Sequence, residues 1–141
     1  MREILFKAKR LDNGEWVCWN IYGDLCRLNG KRTRLAIKNG ATTHYYDYIY
    51  QVIERIDKNT LCQYTGLTDK NGNKIWENDI CDRYEKFYEI VKYHEGDFVL
   101  DYSYALGKEE GDSYCNLGFY VCKRNSVKAI GNIFDNPDLL Q

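Results

Sequence analysis

The run Phe87-Tyr88-Glu89-Ile90-Val91-Lys92-Tyr93-His94-Glu95-Gly96-Asp97-Phe98-Val99-Leu100-Asp101-Tyr102-Ser103-Tyr104 decides the class of fold. Its second half alternates strictly, with Phe98, Leu100, Tyr102 and Tyr104 on one face, the two-residue period of a half-buried strand. Its first half is rich in the branched and aromatic side chains that suit a pleated surface. Glu95-Gly96-Asp97 lies between them as a turn, so the stretch predicts a β-hairpin. Another is predicted at the start of the chain, where Ile4, Phe6 and Ala8 share one face, Asn13-Gly14 follows, and Glu15 to Ile21 returns. Asn-Gly occurs four times, at 13–14, 29–30, 39–40 and 71–72, each a candidate for the two positive-φ residues of a type I′ turn. Arg34–Lys38 and Asp47–Val52 are further short strand candidates.

Helical signals are few. No segment repeats apolar residues at i, i+3, i+4 and i+7 over three turns. Asn136-Pro137 suits the entry of one short C-terminal helical turn, whose Leu139 and Leu140 would dock on the body. Gly107, Gly111 and Gly118 with Lys108-Glu109-Glu110 read as a mobile acidic loop. The chain is therefore expected to be mainly β, a β-rich α+β protein with a small barrel.

The 141 residues include 44% hydrophobic and 15% aromatic side chains, too apolar for disorder, and 29% charged ones, too many for a membrane protein. The opening residues lack the apolar stretch of a signal peptide, so a cytoplasmic location with reduced cysteines is expected, and no membrane partner. The net charge of -1 conceals a split. Residues 1–40 hold nine Lys/Arg against four Asp/Glu, hence +5, and residues 41–141 hold eleven against seventeen, hence -6. The shift from basic to acidic puts a boundary near 53–60, with a basic hairpin region over 1–57 and a second domain over 58–141.

Three blocks go beyond generic β sequence. They are Arg2-Glu3-Ile4-Leu5-Phe6-Lys7-Ala8-Lys9 with Gly14-Glu15-Trp16-Val17, then Gln63-Tyr64-Thr65-Gly66-Leu67-Thr68-Asp69-Lys70-Asn71-Gly72-Asn73-Lys74-Ile75-Trp76-Glu77-Asn78-Asp79-Ile80, and finally Ile130-Gly131-Asn132-Ile133-Phe134-Asp135-Asn136-Pro137-Asp138-Leu139-Leu140. Together they resemble the YopX family of small phage and prophage proteins. The resemblance implies an SH3-type barrel in the second half, an extended β-containing part before it, and a tendency to form homo-oligomers. It implies no enzymatic activity and brings no catalytic residues. The chain departs from the family pattern at Trp76, where Phe or a smaller apolar residue is expected, and at Asn78, where Gly is expected before the strand Asp79-Ile80-Cys81. The polar Asp69–Lys74 segment reads as a turn that pins strand register.

Signatures of chemistry are sparse. Cysteines at 18, 26, 62, 81, 115 and 122 form no Cys-x2-Cys pair, so they read as plain thiols with no metal site. Nothing in the sequence places a base beside His44 or His94, and Glu109, Glu110 and Asp112 lie in a glycine-rich stretch unsuited to shifting a carboxylate pKa. No phosphate-cradling glycine loop occurs, and no cofactor is expected. The sharpest functional candidate is basic: Arg27, Lys31, Arg32, Arg34 and Lys38, with Lys7, Lys9 and Arg10, followed by the aromatics Tyr45, Tyr46, Tyr48 and Tyr50. Cations for phosphates beside rings for bases would suit single-stranded nucleic acid, while the same cations would suit the acidic body of a neighbouring copy. The expected role is non-enzymatic binding or assembly as a homo-oligomer, with a nucleic-acid-binding accessory factor of the phage as the alternative.

Overall fold

The structure, a computed structural model, describes residues 3–20, the backbone of 25–27, and residues 55–141. It is built on antiparallel strands. They are β1 (Leu5–Arg10), β2 (Trp16–Asn20), β3 (Leu25–Arg27), β4 (Ile56–Thr68), β5 (Lys74–Trp76), β6 (Asp79–Asp82), β7 (Glu89–His94), β8 (Asp97–Asp101), β9 (Tyr114–Asn116) and β10 (Lys128–Asn132). Their ladders form two open five-stranded sheets, in the orders β3-β2-β1-β4-β5 and β10-β6-β7-β8-β9. The chain divides into two compact units, residues 1–63 and 64–141. Both that junction and the 57–58 boundary read from the charge shift fall inside β4. The candidate strands 34–38 and 47–52, and the Asn-Gly turns at 29–30 and 39–40, lie outside the described residues.

In the first unit the predicted hairpin forms, with Phe6 opposite Trp19 and Lys9 opposite Trp16. Its turn is not type I′. Only Gly14 has a positive φ, 70°, and the connection closes as a wider loop through Gly14 N–H to Arg10 O at 3.0 Å and Arg10 N–H to Glu15 O at 2.9 Å. Ala8, Val17 and Ile56 are buried together beneath Trp19.

In the second unit Ile75 of β5 shares one apolar core with Cys81, Val91 and Leu100, closed off by Leu117 and Val127. The Asn71-Gly72 turn likewise has one positive φ, 83° at Gly72, because Asp69 replaces the second left-handed residue as organiser. Its carbonyl accepts the Gly72 N–H at 3.0 Å, and its carboxylate accepts the Asn71 and Asn73 N–H groups, each at 2.9 Å. The type I′ geometry occurs instead at Glu95 (φ 50°) and Gly96 (φ 83°), which join His94 to Asp97. Asn78, where the resemblance implies Gly, takes φ 69°, a region that asparagine tolerates better than most side chains.

The predicted β7–β8 hairpin is shorter than its sequence pattern. β7 begins at Glu89 rather than Phe87, and β8 stops at Asp101 before Tyr102 and Tyr104. The reason is the Asp101 carboxylate, which accepts the Ser103 N–H at 2.8 Å and turns the chain into a 3-10 turn over Ser103–Leu106. Its other oxygen accepts the Gly111 N–H at 2.7 Å, and Ser113 N–H donates to Ser103 Oγ at 2.7 Å. The glycine-rich acidic stretch is thus tied down by named bonds and includes β9, where the sequence suggested only a loop. The terminal turn forms over Pro137–Leu140, but Asn136 makes no side-chain cap. Its Oδ1 accepts the Asn132 N–H at 3.2 Å instead.

Candidate functional site

The basic residues proposed from sequence are only partly placed. Lys7 is buried in β1 with its Nζ 4.5 Å from the Trp16 ring centroid, and Lys9 Nζ lies 5.5 Å from the same ring. Arg10 is paired with Asp12. Arg27 is placed by its backbone in β3. Lys31, Arg32, Arg34, Lys38, Tyr45, Tyr46, Tyr48, Tyr50 and His44 lie outside the described residues. His94 packs edge-on against Tyr114, with ring centroids 4.7 Å apart. Glu110 meets Lys92 at 3.1 Å and Asp112 meets Lys108 at 3.5 Å, so two of the three acidic candidates are engaged in surface ion pairs.

The strongest site geometry is one that sequence reading missed. An open cleft of about 790 Å³ in the second unit is walled by Tyr84, Phe87, Tyr88 and Tyr104, floored at one end by Leu139 and Leu140, and rimmed by Asp82, Glu85 and Lys86. Three elements build it. The end of β6 and the loop after it supply Asp82 and Tyr84 to Tyr88, the 3-10 turn supplies Tyr104, and the terminal turn supplies the two leucines. Tyr104 Oη donates to the Tyr88 backbone O at 2.6 Å, which fixes one ring against the loop, and Phe87 packs on Tyr102 with centroids 5.5 Å apart.

Tyr84 is the outlier. Its φ is 68°, costly for a bulky side chain, and its N–H donates to Asp82 Oδ1 at 2.7 Å to hold the bend. Tyr84 is 69% exposed, and its hydroxyl accepts a hydrogen bond from Lys70 Nζ.

Under the loop lies a buried charged group. Glu89 is completely buried at the start of β7, with Arg83 Nε 2.6 Å from its Oε1 and Cys115 Sγ 3.7 Å from its Oε2. Arg83 also reaches Glu85 at 3.0 Å and stacks 4.4 Å over the Tyr120 ring. Burial pushes the Glu89 carboxyl up to about 7 against the pull of Arg83. Burial, reinforced by Glu89, pushes the Cys115 thiol up to about 12, which makes it a poor nucleophile. Among the described residues no cluster of His, Cys, Asp and Glu has the arrangement to hold a metal ion, and no helix is long and apolar enough to cross a membrane.

The model of the YopX protein family matches residues 6–141. The chain belongs to the YopX family. No curated protein matches it. This YopX chain is also similar to the crystal structure of protein EF1440 from Enterococcus faecalis, at 30% identity and a TM-score of 0.41, over 57% of this chain and 55% of that one. The matched part thus spans little more than half of that relative.

Proposed function

We propose that this YopX protein works by binding rather than by catalysis, in the host bacterial cytoplasm during phage or prophage life, and that its partner is a second copy of itself. The observation that carries this reading is the tyrosine-walled cleft, with Tyr84 held in a strained conformation and its ring left to solvent. The charge split supports the choice of partner, because the cleft lies in the acidic part of a chain whose first forty residues carry +5. Cationic side chains laid on tyrosine faces gain cation–π attraction, as Arg83 does over Tyr120 within the chain. We read the second unit as an SH3-type barrel on the same grounds of support: β5 is not in the ladder of β6 to β10, yet its Ile75 is packed into the core those strands build.

Light scattering and sedimentation at micromolar concentration test the assembly. The species is expected to exceed a monomer at low salt and to loosen as salt is raised, since exposed charge pairs are screened over roughly 10 Å at 0.1 M. The double variant Tyr84→Ala, Tyr88→Ala is expected to weaken self-association by about tenfold or more with its thermal melt retained. The competing nucleic-acid reading gains if the protein is strictly monomeric and binds a mixed-sequence oligonucleotide with a steep salt slope that Arg32→Ala and Arg34→Ala together reduce.

A further inference from the structure

The loop that walls the cleft is rooted on the buried Arg83–Glu89 contact. It leaves β6 after Asp82 and rejoins the sheet at Glu89, which pairs with Cys81 across the β6–β7 ladder. Five successive loop residues, Tyr84 to Tyr88, face the cleft. The groups around Glu89 come from four places: Arg83 and Glu85 on the loop, Cys81 on β6, Cys115 on β9, and Tyr104 on the 3-10 turn. Arg83 is the one cation among them. Although its Nε is close, the N–H is not aligned on the carboxylate, and neither Arg83 Nε nor Glu89 Oε1 has a hydrogen-bond partner. A carboxylate at zero exposure with one misaligned counter-ion, and only a weak thiol donor on its other oxygen, is poorly compensated. As a neutral acid it loses that penalty and stays in place. As an anion it gains by any movement that returns it to water, and its one counter-ion, Arg83, is carried by the loop.

We propose that the 83–88 loop is a pH-sensitive latch on the cleft, closed while the Glu89 carboxyl carries its proton and released when that proton leaves, an inference that takes the cleft as the binding surface. Burial places the Glu89 titration at about 7 in the closed state. In the open state the carboxyl returns to the ordinary range near 4.3, so the closed form binds protons more tightly and the opening equilibrium rises with pH. Between pH 6 and pH 8 those two values make the opening constant grow by roughly tenfold.

Hydrogen–deuterium exchange of the Tyr84 amide in the full chain, whose N–H donates to Asp82 Oδ1 at 2.7 Å, expressed as protection relative to the intrinsic rate at each pH, reads the latch. Protection is expected to fall about tenfold from pH 6 to pH 8. Glu89→Gln should hold the high protection across that range, and Arg83→Met should move the transition to higher pH by removing the cation that favours ionisation. Carbon-13 NMR of the Glu89 carboxyl in the wild-type chain decides the matter even if a variant fails to fold. Protection that is flat in the wild type, or a Glu89 carboxyl that titrates below pH 5, overturns the latch. If the latch behaves as described while Tyr84→Ala and Tyr88→Ala leave assembly unchanged, the latch stands and the cleft's role as the assembly surface falls.

Discussion

Ala129 donates its backbone N–H to Asp69 Oδ2 at 3.0 Å, tying β10 to a turn sixty residues earlier in the chain. The other oxygen of the same carboxylate organises that turn through Asn71 and Asn73. Beside it, Lys70 N–H donates to Val127 O at 3.1 Å. A segment that looks like a solvated loop is therefore an anchor for the last strand, and Asp69 itself is only 5% exposed.

Replacing Asp69 by Ala should destabilise the protein by about 2–4 kcal/mol, because three backbone donors lose a charged acceptor in a buried place. Burial works against the Asp69 charge, but the N–H groups of Ala129, Asn73 and Asn71 outweigh it and hold the carboxyl below its ordinary range. A depressed folded pKa contributes stability above the unfolded value of about 3.9, and that contribution is lost as pH falls through the folded pKa. Urea midpoints measured down to pH 2 should show an acid limb in the wild type that Asp69→Asn flattens. Equal acid limbs would remove Asp69 from the account.

Gly131 is expected to be intolerant even of Ala. A Cβ there would lie 2.5 Å from Asn136 Oδ1, an atom held in place by its bond to Asn132 N–H. Gly131→Ala should cost on the order of 1–3 kcal/mol, and much less in an Asn136→Gly background. A double-mutant cycle with no coupling would show that the side chain moves away freely.

Tyr84→Asn should raise stability by about 1 kcal/mol, since Asn accepts the left-handed backbone that Tyr resists. The same change should weaken self-association, because it removes the exposed ring. Higher stability with full assembly would detach Tyr84 from the binding surface.

Thiol labelling of the native protein should separate the cysteines by depth. Cys122 is exposed, whereas Cys18, Cys62 and Cys81 are buried. Cys115 is only partly buried, but the rise of its pKa to about 12 leaves almost no thiolate at pH 8. Cys122 is expected to react at least tenfold faster than these four. Mass spectrometry of labelled peptides checks the order, and rapid labelling of Cys115 would contradict the buried carboxylate beside it.

Both hairpins were legible because their signals are local: alternation on either side of Glu95-Gly96, and an Asn-Gly between two apolar runs. Strand ends were not. Tyr102 and Tyr104 continue the alternation in sequence, yet Asp101 captures the Ser103 N–H and ends the strand, a competition between side chain and ladder that periodicity does not register. The turn at 71–72 was placed correctly but typed wrongly, since its geometry is set by Asp69 two residues upstream. The cleft was hidden because it gathers residues from 82–88, 104–105 and 139–141, and only folding brings these together. One trace of it was present. Glu89 stands in phase with the core residue Val91, so a carboxylate occupies an inward position of a strand, and that conflict is a sequence-level flag for a special group.

The tight connection at Glu95-Gly96 has a kinetic consequence. Closing β7 on β8 spans two residues, while pairing β6 with β10 joins Asp82 to Lys128 across the whole of the intervening chain. The entropy of loop closure therefore favours early formation of the first pair and late arrival of the second. Substitutions in the β7–β8 hairpin should act mainly on the rate of folding, and those in β10 mainly on the rate of unfolding. The Asp69–Ala129 bond would then be a seal made last, after the core it closes is already in place.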